Sequence, residues 1–176
     1  MRKIESLASS RFLPIVGEAK GRVLAEEVRK ARPKRALEIG TLIGYSAIVI
    51  ARELPPQSTL TTIEVHSEEA KQAEENLKKA GLGGVVRVVV GDALHVIPTL
   101  EGEFDFAFLD AAKDEYLGYL ELLEDRMPPG SVVVADNAGI FADEIADYLE
   151  HVRSGGRWKS RFVRVGGDGM EISRRL

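Results

Sequence analysis

The sequence predicts an α/β fold in which a mostly parallel sheet carries helices on both faces. Three observations lead to it. From Ala36 onward, short apolar runs alternate with longer amphipathic stretches, the pattern of strands interleaved with helices. Runs such as VVVA at 132–135 are apolar at every position, as strands buried on both faces are. Acids or glycines stand where several runs stop, at the carboxyl ends outside which open α/β sheets bind their ligands.

The first element is a helix. In VGEAKGRVLAEEVRKARP, Val23, Leu24, Val28 and Ala31 share one face, and Pro33 ends the segment. Strands are expected at 35–39, 59–65, 85–90, 104–109, 131–135, 161–165 and 170–174. After the first, RALEIGTLIGYSAIVIAREL holds a turn with Gly40 and Gly44, then a helix opening at Gly44 or Tyr45. After the second, SEEAKQAEENLKKAGLGG begins with Ser67 as cap, continues with acids, carries late lysines and stops at Gly81. The final MEISRRL, following the turn VGGDGM, reads as the last strand of a hairpin, antiparallel and expected at the sheet edge. No repeat, low-complexity tract or linker divides the 176 residues, so 1–176 is expected to be one domain with a short N-terminal extension.

Composition narrows the function. A net charge of −4 argues against broad phosphate binding. There is no cysteine, no charged-then-apolar leader and no apolar stretch near the ~18 residues a membrane span needs, so a soluble, cytoplasmic protein without a membrane partner is expected. His66, His95 and His151 show no paired spacing, which disfavours zinc. GYSAI lacks the second glycine of a nucleophile elbow, which disfavours a serine hydrolase.

Asp110 ends FDFAFLD and Asp136–Asn137 ends SVVVADN. If the two runs are neighbouring strands, their ends lie ~5 Å apart. Carboxylates that close repel unless a proton or cation lies between them. With the Asn137 carbonyl they form a hard oxygen set suited to Mg²⁺. The competing role for each acid is to cap a following helix. Lys113, three residues after Asp110, becomes a base for a hydroxyl proton if desolvation beside a cation lowers its pKa from the usual ~10.4. The Gly40–Gly44 spacing is not the dinucleotide fingerprint, which removes an NAD-linked oxidoreductase from the front rank. Glu64, at the end of the second strand, can accept from both ribose hydroxyls of an adenosyl ligand, and Gly91–Asp92 extends the same crevice toward an adenine amine. Against this, the glycines serve only a tight turn, and Glu64 and Asp92 only cap helices.

The segments VGEAKGRVL, ALEIGTLIGYSA, TTIEV, VVVGDALHVIPTL, FAFLDAAKDEYL, VVVADN and GDGMEISRR together resemble the class I S-adenosylmethionine (SAM)-dependent methyltransferases. Within them the chain is similar to the metal-dependent catechol O-methyltransferase-like group, O-methyltransferase family 3, from about Phe12 to the C-terminus. The resemblance implies a Rossmann-like, seven-stranded sheet of order 3-2-1-4-5-7-6 with the last strand antiparallel. It implies that Val16, Glu38, Gly40 and Ser46 surround the methionine part of the cofactor, with Gly44 and Tyr45 in the same turn. Glu64 and Val65 would hold the ribose, Gly91, Asp92 and Ala93 would border the adenine, and Asp110 would also lie near the cofactor. Asp110, Asp136 and Asn137 would bind Mg²⁺, or Mn²⁺ or Ca²⁺, with Lys113 as the base. Lys113, Asn137 and Glu171 would contact the acceptor, Glu171 taking a hydrogen bond from the second hydroxyl of an aromatic diol.

Two departures modify the acceptor side. Ala112 stands where the family pattern has a large ring, while Phe12 replaces another, and the N-terminus is short. The acceptor site is then either open or completed by a second copy in a homodimer. A rival reading is methylation of a hydroxylated uridine in tRNA, with Arg2, Lys3, Arg11, Arg157, Lys159, Arg161 and Arg164 as a basic rim. Another is a cofactor-binding scaffold without turnover.

Overall fold

Seven strands join in one sheet of order β3-β2-β1-β4-β5-β7-β6 in the computed structural model, which describes residues 13–176. Phe12, Arg2, Lys3 and Arg11 lie outside the described residues. Helix α1 (Gly17–Ala31) leads into β1 (Arg35–Ile39), α2 (Tyr45–Glu53), β2 (Thr59–Glu64), α3 (Ser67–Lys79), β3 (Val86–Val90) and the short α4 (Ala93–Val96). Then come β4 (Phe106–Leu109), α5 (Tyr116–Glu124), β5 (Val132–Ala135), α6 (Ala146–Ser154), β6 (Trp158–Val165) and β7 (Asp168–Arg175). No helix of the described residues is long and apolar enough to cross a membrane.

The ends of these elements follow local chemistry. Helix α1 closes with Arg32 in the left-handed region, its N–H bonded to the Val28 carbonyl, and Pro33 prevents a further turn. Helix α3 ends as expected at Gly81: Leu82 N–H bonds Leu77 O, and Gly81 N–H bonds Lys78 O, the paired bonds of a Schellman stop. Its start differs from expectation. Ser67 is the first helical residue and His66 the cap, with no side-chain cap bond. Glu64 accepts from the N–H of the cap residue His66, which ties the start of α3 back to the end of β2.

The C-terminal hairpin also corrects an expectation. Strand β7 is antiparallel, but it lies between β5 and β6, and β6 forms the edge. Both hairpin strands run longer than the apolar pattern indicated; in β6 this is because charged residues are interspersed with apolar ones on a half-solvated edge.

Alternate residues of the central strands feed two cores. Leu37, Ile39, Ala107, Leu109, Val133 and Ala135 pack against α5 and α6, while Ala36, Phe106, Phe108, Val132 and Val134 pack against α1 and α2. Both faces being covered explains why the runs are apolar throughout. Trp158, Arg157, His151 and Arg175 converge on the buried Glu124 carboxylate and tie β6, β7 and α6 to α5.

The parallel register positions the site. Leu109 pairs with Ala135, and the ladder continues past the strands with Asp110 N–H on Ile39 O and Asp136 N–H on Leu109 O. Asp110 and Asp136 are therefore lateral neighbours. Gly40 makes the β1–β4 approach feasible: its φ is +96°, and a Cβ there would lie 2.1 Å from Asp110 O. Gly40→Ala is expected to cost more than about 2 kcal/mol in denaturant unfolding, since strain and overlap coincide. A midpoint shift equivalent to under about 0.5 kcal/mol, the range of neutral surface changes, would contradict this packing.

Candidate active site

A cleft of about 700 Å³ opens over the carboxyl ends of β1, β2, β4 and β5. That is room for a nucleoside-sized cofactor and a small second ligand together. Gly40, Tyr45, Ser46, Glu64, Val65, Gly91, Asp92 and Ala93 line one half, and Val16 lies beside them just before α1. Asp110, Lys113, Asp136 and Asn137 line the other half. These sequence-predicted residues do meet in one cavity.

Two cofactor candidates lie beneath its wall. Gly44 caps α2 at φ +83°, and a Cβ there would sit 3.3 Å from Ala73 Cα. Its role is to let α2 and α3 approach. Glu38 is fully buried; Thr62 Oγ1 donates to its Oε2, and Oε1 has no hydrogen-bond partner among the described residues. Burial pushes the Glu38 carboxyl up to about 8, opposed by hydrogen bonds from Ser46 and Thr62 and reinforced by Asp110 and Glu64. Glu38 is thus a neutral acid at pH 7 with one unfilled oxygen.

Glu64 combines both roles weighed for it. Its Oε2 accepts from Leu42 N–H at 2.7 Å and its Oε1 from His66 N–H at 3.0 Å, so it rigidifies the turn after β1 while facing the cleft. Each oxygen keeps a second lone pair for a ligand hydroxyl. Asp92 caps α4 through Leu94 N–H, as its alternative role required.

The strand-end acids do not cap helices. The turn after Asp110 starts at Ala112 without a side-chain cap, and α6 begins at Ala146, far from Asp136. Burial pushes the Asp110 carboxyl up to about 6, with Lys113 pulling it down and Asp136 pushing it up again. Asp136 is raised as well, chiefly by burial, against the pull of Lys20. Lys113 Nζ lies 3.1 Å from Asp110 Oδ1 and donates to Tyr116 Oη at 2.7 Å. Tyr116 Oη donates in turn to Leu109 O, which fixes the ammonium under the cleft.

Lys20 was not singled out from the sequence. It reaches from α1 to within 2.7 Å of Asp136 Oδ1 and 2.6 Å of Asp168 Oδ2. Asp168, at the start of β7, also accepts from Asn137 Nδ2 and from the N–H groups of Gly139 and Ile140. Phe141, a further unforeseen wall residue, has its ring centroid 5.9 Å from Lys113 Nζ and lines the same cleft as Ala112. Neither Lys20 in the first helix nor Asp168 in the hairpin turn carries a local sequence signal of this role.

Glu171 is the expected site residue that the structure does not bring to the cleft. It is fully buried in β7, gripped by Arg153 through both oxygens and by Ser160 Oγ. A strand's side chains alternate, so Glu171 faces α6 while Asp168 faces α1. Among the described residues, the basic side chains of the tRNA reading do not form one rim either. Arg157 pairs with Glu124 and Arg161 with Glu27, and Arg157 and Arg164 are separated along β6 by ~23 Å of extended chain.

The donor chemistry fits a hard divalent cation. Two carboxylates and one amide side chain line the same end of the cleft, and both carboxyl groups are raised chiefly by burial. Among the described residues, no group of three or more His, Cys, Asp or Glu side chains forms a ready cage, so water or ligand oxygens would complete the shell.

Sheet order and cleft define a class I methyltransferase scaffold. Residues 8–154 match the family model described as O-methyltransferase. The catechol O-methyltransferase of Sus scrofa is 38% identical over 151 residues, which cover 82% of this chain and 80% of that protein. Three other animal catechol O-methyltransferases are spanned over between 54% and 58% of their length. Among solved structures, the Streptomyces achromogenes O-methyltransferase TomG in complex with SAM superposes with a TM-score of 0.87 at 29% identity, covering 96% of this chain and 86% of that one. The Bacillus cereus O-methyltransferase in complex with SAH gives 0.91 at 26% identity, covering 99% and 90%. The chain belongs to the SAM-dependent O-methyltransferase family.

The Glu38 geometry predicts a pH dependence. The folded state holds a proton that the unfolded chain releases near 4.5, so between 4.5 and about 8 the folded state binds more protons. Stability of the cofactor-free protein therefore falls as pH rises through that window, with Asp110 adding the same sign up to about 6. Thermal unfolding from pH 5 to 8 is expected to show this decline, and Glu38→Gln to flatten it. Equal slopes for parent and variant would rule out a neutral Glu38.

Proposed function

We propose that the protein is a divalent-metal-dependent O-methyltransferase whose acceptor is a vicinal aromatic diol of the catechol type. The observation that carries this reading is the convergence of Asp110, Asp136, Asn137 and Lys113 at one end of the cleft whose other end has Glu64 and the Gly40 turn. SAM would supply an electrophilic methyl group, and Mg²⁺, Mn²⁺ or Ca²⁺ held by Asp110, Asp136 and Asn137 would acidify the acceptor hydroxyl. The unfilled Oε1 of Glu38 suits a donor from the cofactor's methionine moiety.

The chain's own residues then have separable tasks. Glu64 orients the ribose through two acceptor oxygens and so sets where the sulfonium end lies. Lys113, anchored on Tyr116 and next to Asp110, takes the acceptor's hydroxyl proton on Nζ in its neutral amine form, after its own extra proton has gone to solvent. The acceptor oxygen forms its new bond to the methyl carbon as the sulfur–methyl bond breaks, leaving a methyl ether and SAH. Phe141 offers the aromatic ring a wall in the same cleft as Ala112. The similarity to catechol O-methyltransferases supports the acceptor class.

Methyl transfer to a panel of catechols, measured with and without chelator, tests the reading. Mg²⁺ is expected to restore activity to chelated protein, and Lys113→Met to lose ~10²–10⁴-fold in turnover while still binding SAM. Asp136→Ala should lose the metal response. Turnover that ignores both metal and Asp136→Ala would end the proposal.

A further inference from the structure

Asn137 can serve a cation only through its amide oxygen, so something must decide which end of the amide faces the cleft. An ionised carboxylate has no proton to donate, and only the NH₂ end of an amide can approach it. Asp168 Oδ2 accepts from Asn137 Nδ2 at 2.8 Å, and that bond turns Oδ1 of Asn137 toward the cleft. The other oxygen, Asp168 Oδ1, is held by the N–H groups of Gly139 and Ile140, so the carboxylate itself cannot swing. Lys20 completes the arrangement. It bridges Asp136 Oδ1 and Asp168 Oδ2, which holds its ammonium on the α1 side of the acids. Asn137 sits at φ +58°, a left-handed conformation that asparagine tolerates and that aims its side chain along this line.

We infer that Asp168 is a positioning residue of the cation site: through its hydrogen bond to Asn137 Nδ2 and its ion pair with Lys20, it presents the Asn137 amide oxygen to the cleft and keeps Lys20 from moving wholly onto Asp136. The inference rests on the metal reading above and assigns a role outside the three oxygen donors. Partners of this kind typically set metal affinity over ~10–100-fold.

Asp168→Asn separates this role from a merely structural one. The new amide oxygen still accepts from Gly139 and Ile140, but its NH₂ end meets Asn137 Nδ2 and Lys20 Nζ, three donors with no acceptor. Asn137 then rotates its oxygen toward residue 168 and away from the cleft. Calorimetric titration with Mn²⁺ alone is expected to give a Kd raised ~10–100-fold for this variant. The exchange Asn137→Asp with Asp168→Asn restores the pair with reversed polarity: one Asp oxygen accepts from the new amide and the other faces the cleft. Aspartate also tolerates the left-handed backbone, and this double variant is expected to bind Mn²⁺ within about tenfold of the parent, which is one power of ten in Kd or ~1.4 kcal/mol.

The outcomes are distinct. Unchanged Mn²⁺ affinity in a folded Asp168→Asn protein overturns the assignment alone, whatever its unfolding temperature. A loss that the exchanged pair does not recover overturns it as well. If Asp168→Asn does not fold, the double variant carries the test by the same tenfold criterion. A parent protein that takes up no Mn²⁺ overturns the metal reading, and this assignment with it.

Discussion

The parallel pairing of β4 with β5 forces two carboxylates side by side at the bottom of a partly closed cleft, and the surrounding chemistry answers that constraint. Register leaves no freedom here, because Asp110 and Asp136 are the residues after a paired Leu109 and Ala135. Burial raises both carboxyl groups, and Asp136 raises Asp110 further. The chain responds with two ammonium groups from opposite sides, Lys113 from the turn after β4 and Lys20 from α1. Asp168 then divides Lys20 with Asp136. What results is an oxygen cluster with one more carboxylate than ammonium, which retains an attraction for a further cation.

The other half of the cleft obeys a different constraint, close approach of backbone. Gly40 lets β1 end against the Asp110 carbonyl, and Gly44 lets α2 start against α3. Glu64 helps hold the turn between them, its carboxylate accepting from Leu42 N–H, alongside Asn76 Nδ2 on Ile43 O. Glu38 lies below, uncharged and with one oxygen unfilled, so the cofactor half has a polar floor that a ligand can complete. The two halves communicate electrostatically, since Asp110 contributes to the raised Glu38 and lies on the boundary between them.

How far the sequence revealed this depended on the distance over which each signal acts. Strand ends, the Gly40 turn, Glu64 and Lys113 were legible because their meaning follows from local position within a strand–turn–helix unit. The sheet order and antiparallel hairpin came with the family resemblance. Lys20 and Asp168 were not legible, because they meet across 148 residues and neither breaks the pattern of its own element. Glu171 was misassigned for a reason of parity. Three residues along a strand reverse the face, so Asp168 lies on the site side and Glu171 beneath α6, neutralised by Arg153. Ser67 is not the cap because the helix starts one residue earlier than its position suggested, with His66 as the cap residue.

The account stands or falls on whether a divalent ion occupies the space between β4 and β5. Crystals soaked with Mn²⁺, SAH and a catechol, with anomalous diffraction recorded, give the most direct measurement. The account predicts one anomalous peak per chain at about 2.1 Å from oxygens of Asp110, Asp136 and Asn137, the distance of octahedral hard-ion coordination, with the two catechol oxygens completing the shell. A cleft that binds SAH and catechol with no peak at those oxygens, or with the peak elsewhere, would contradict it.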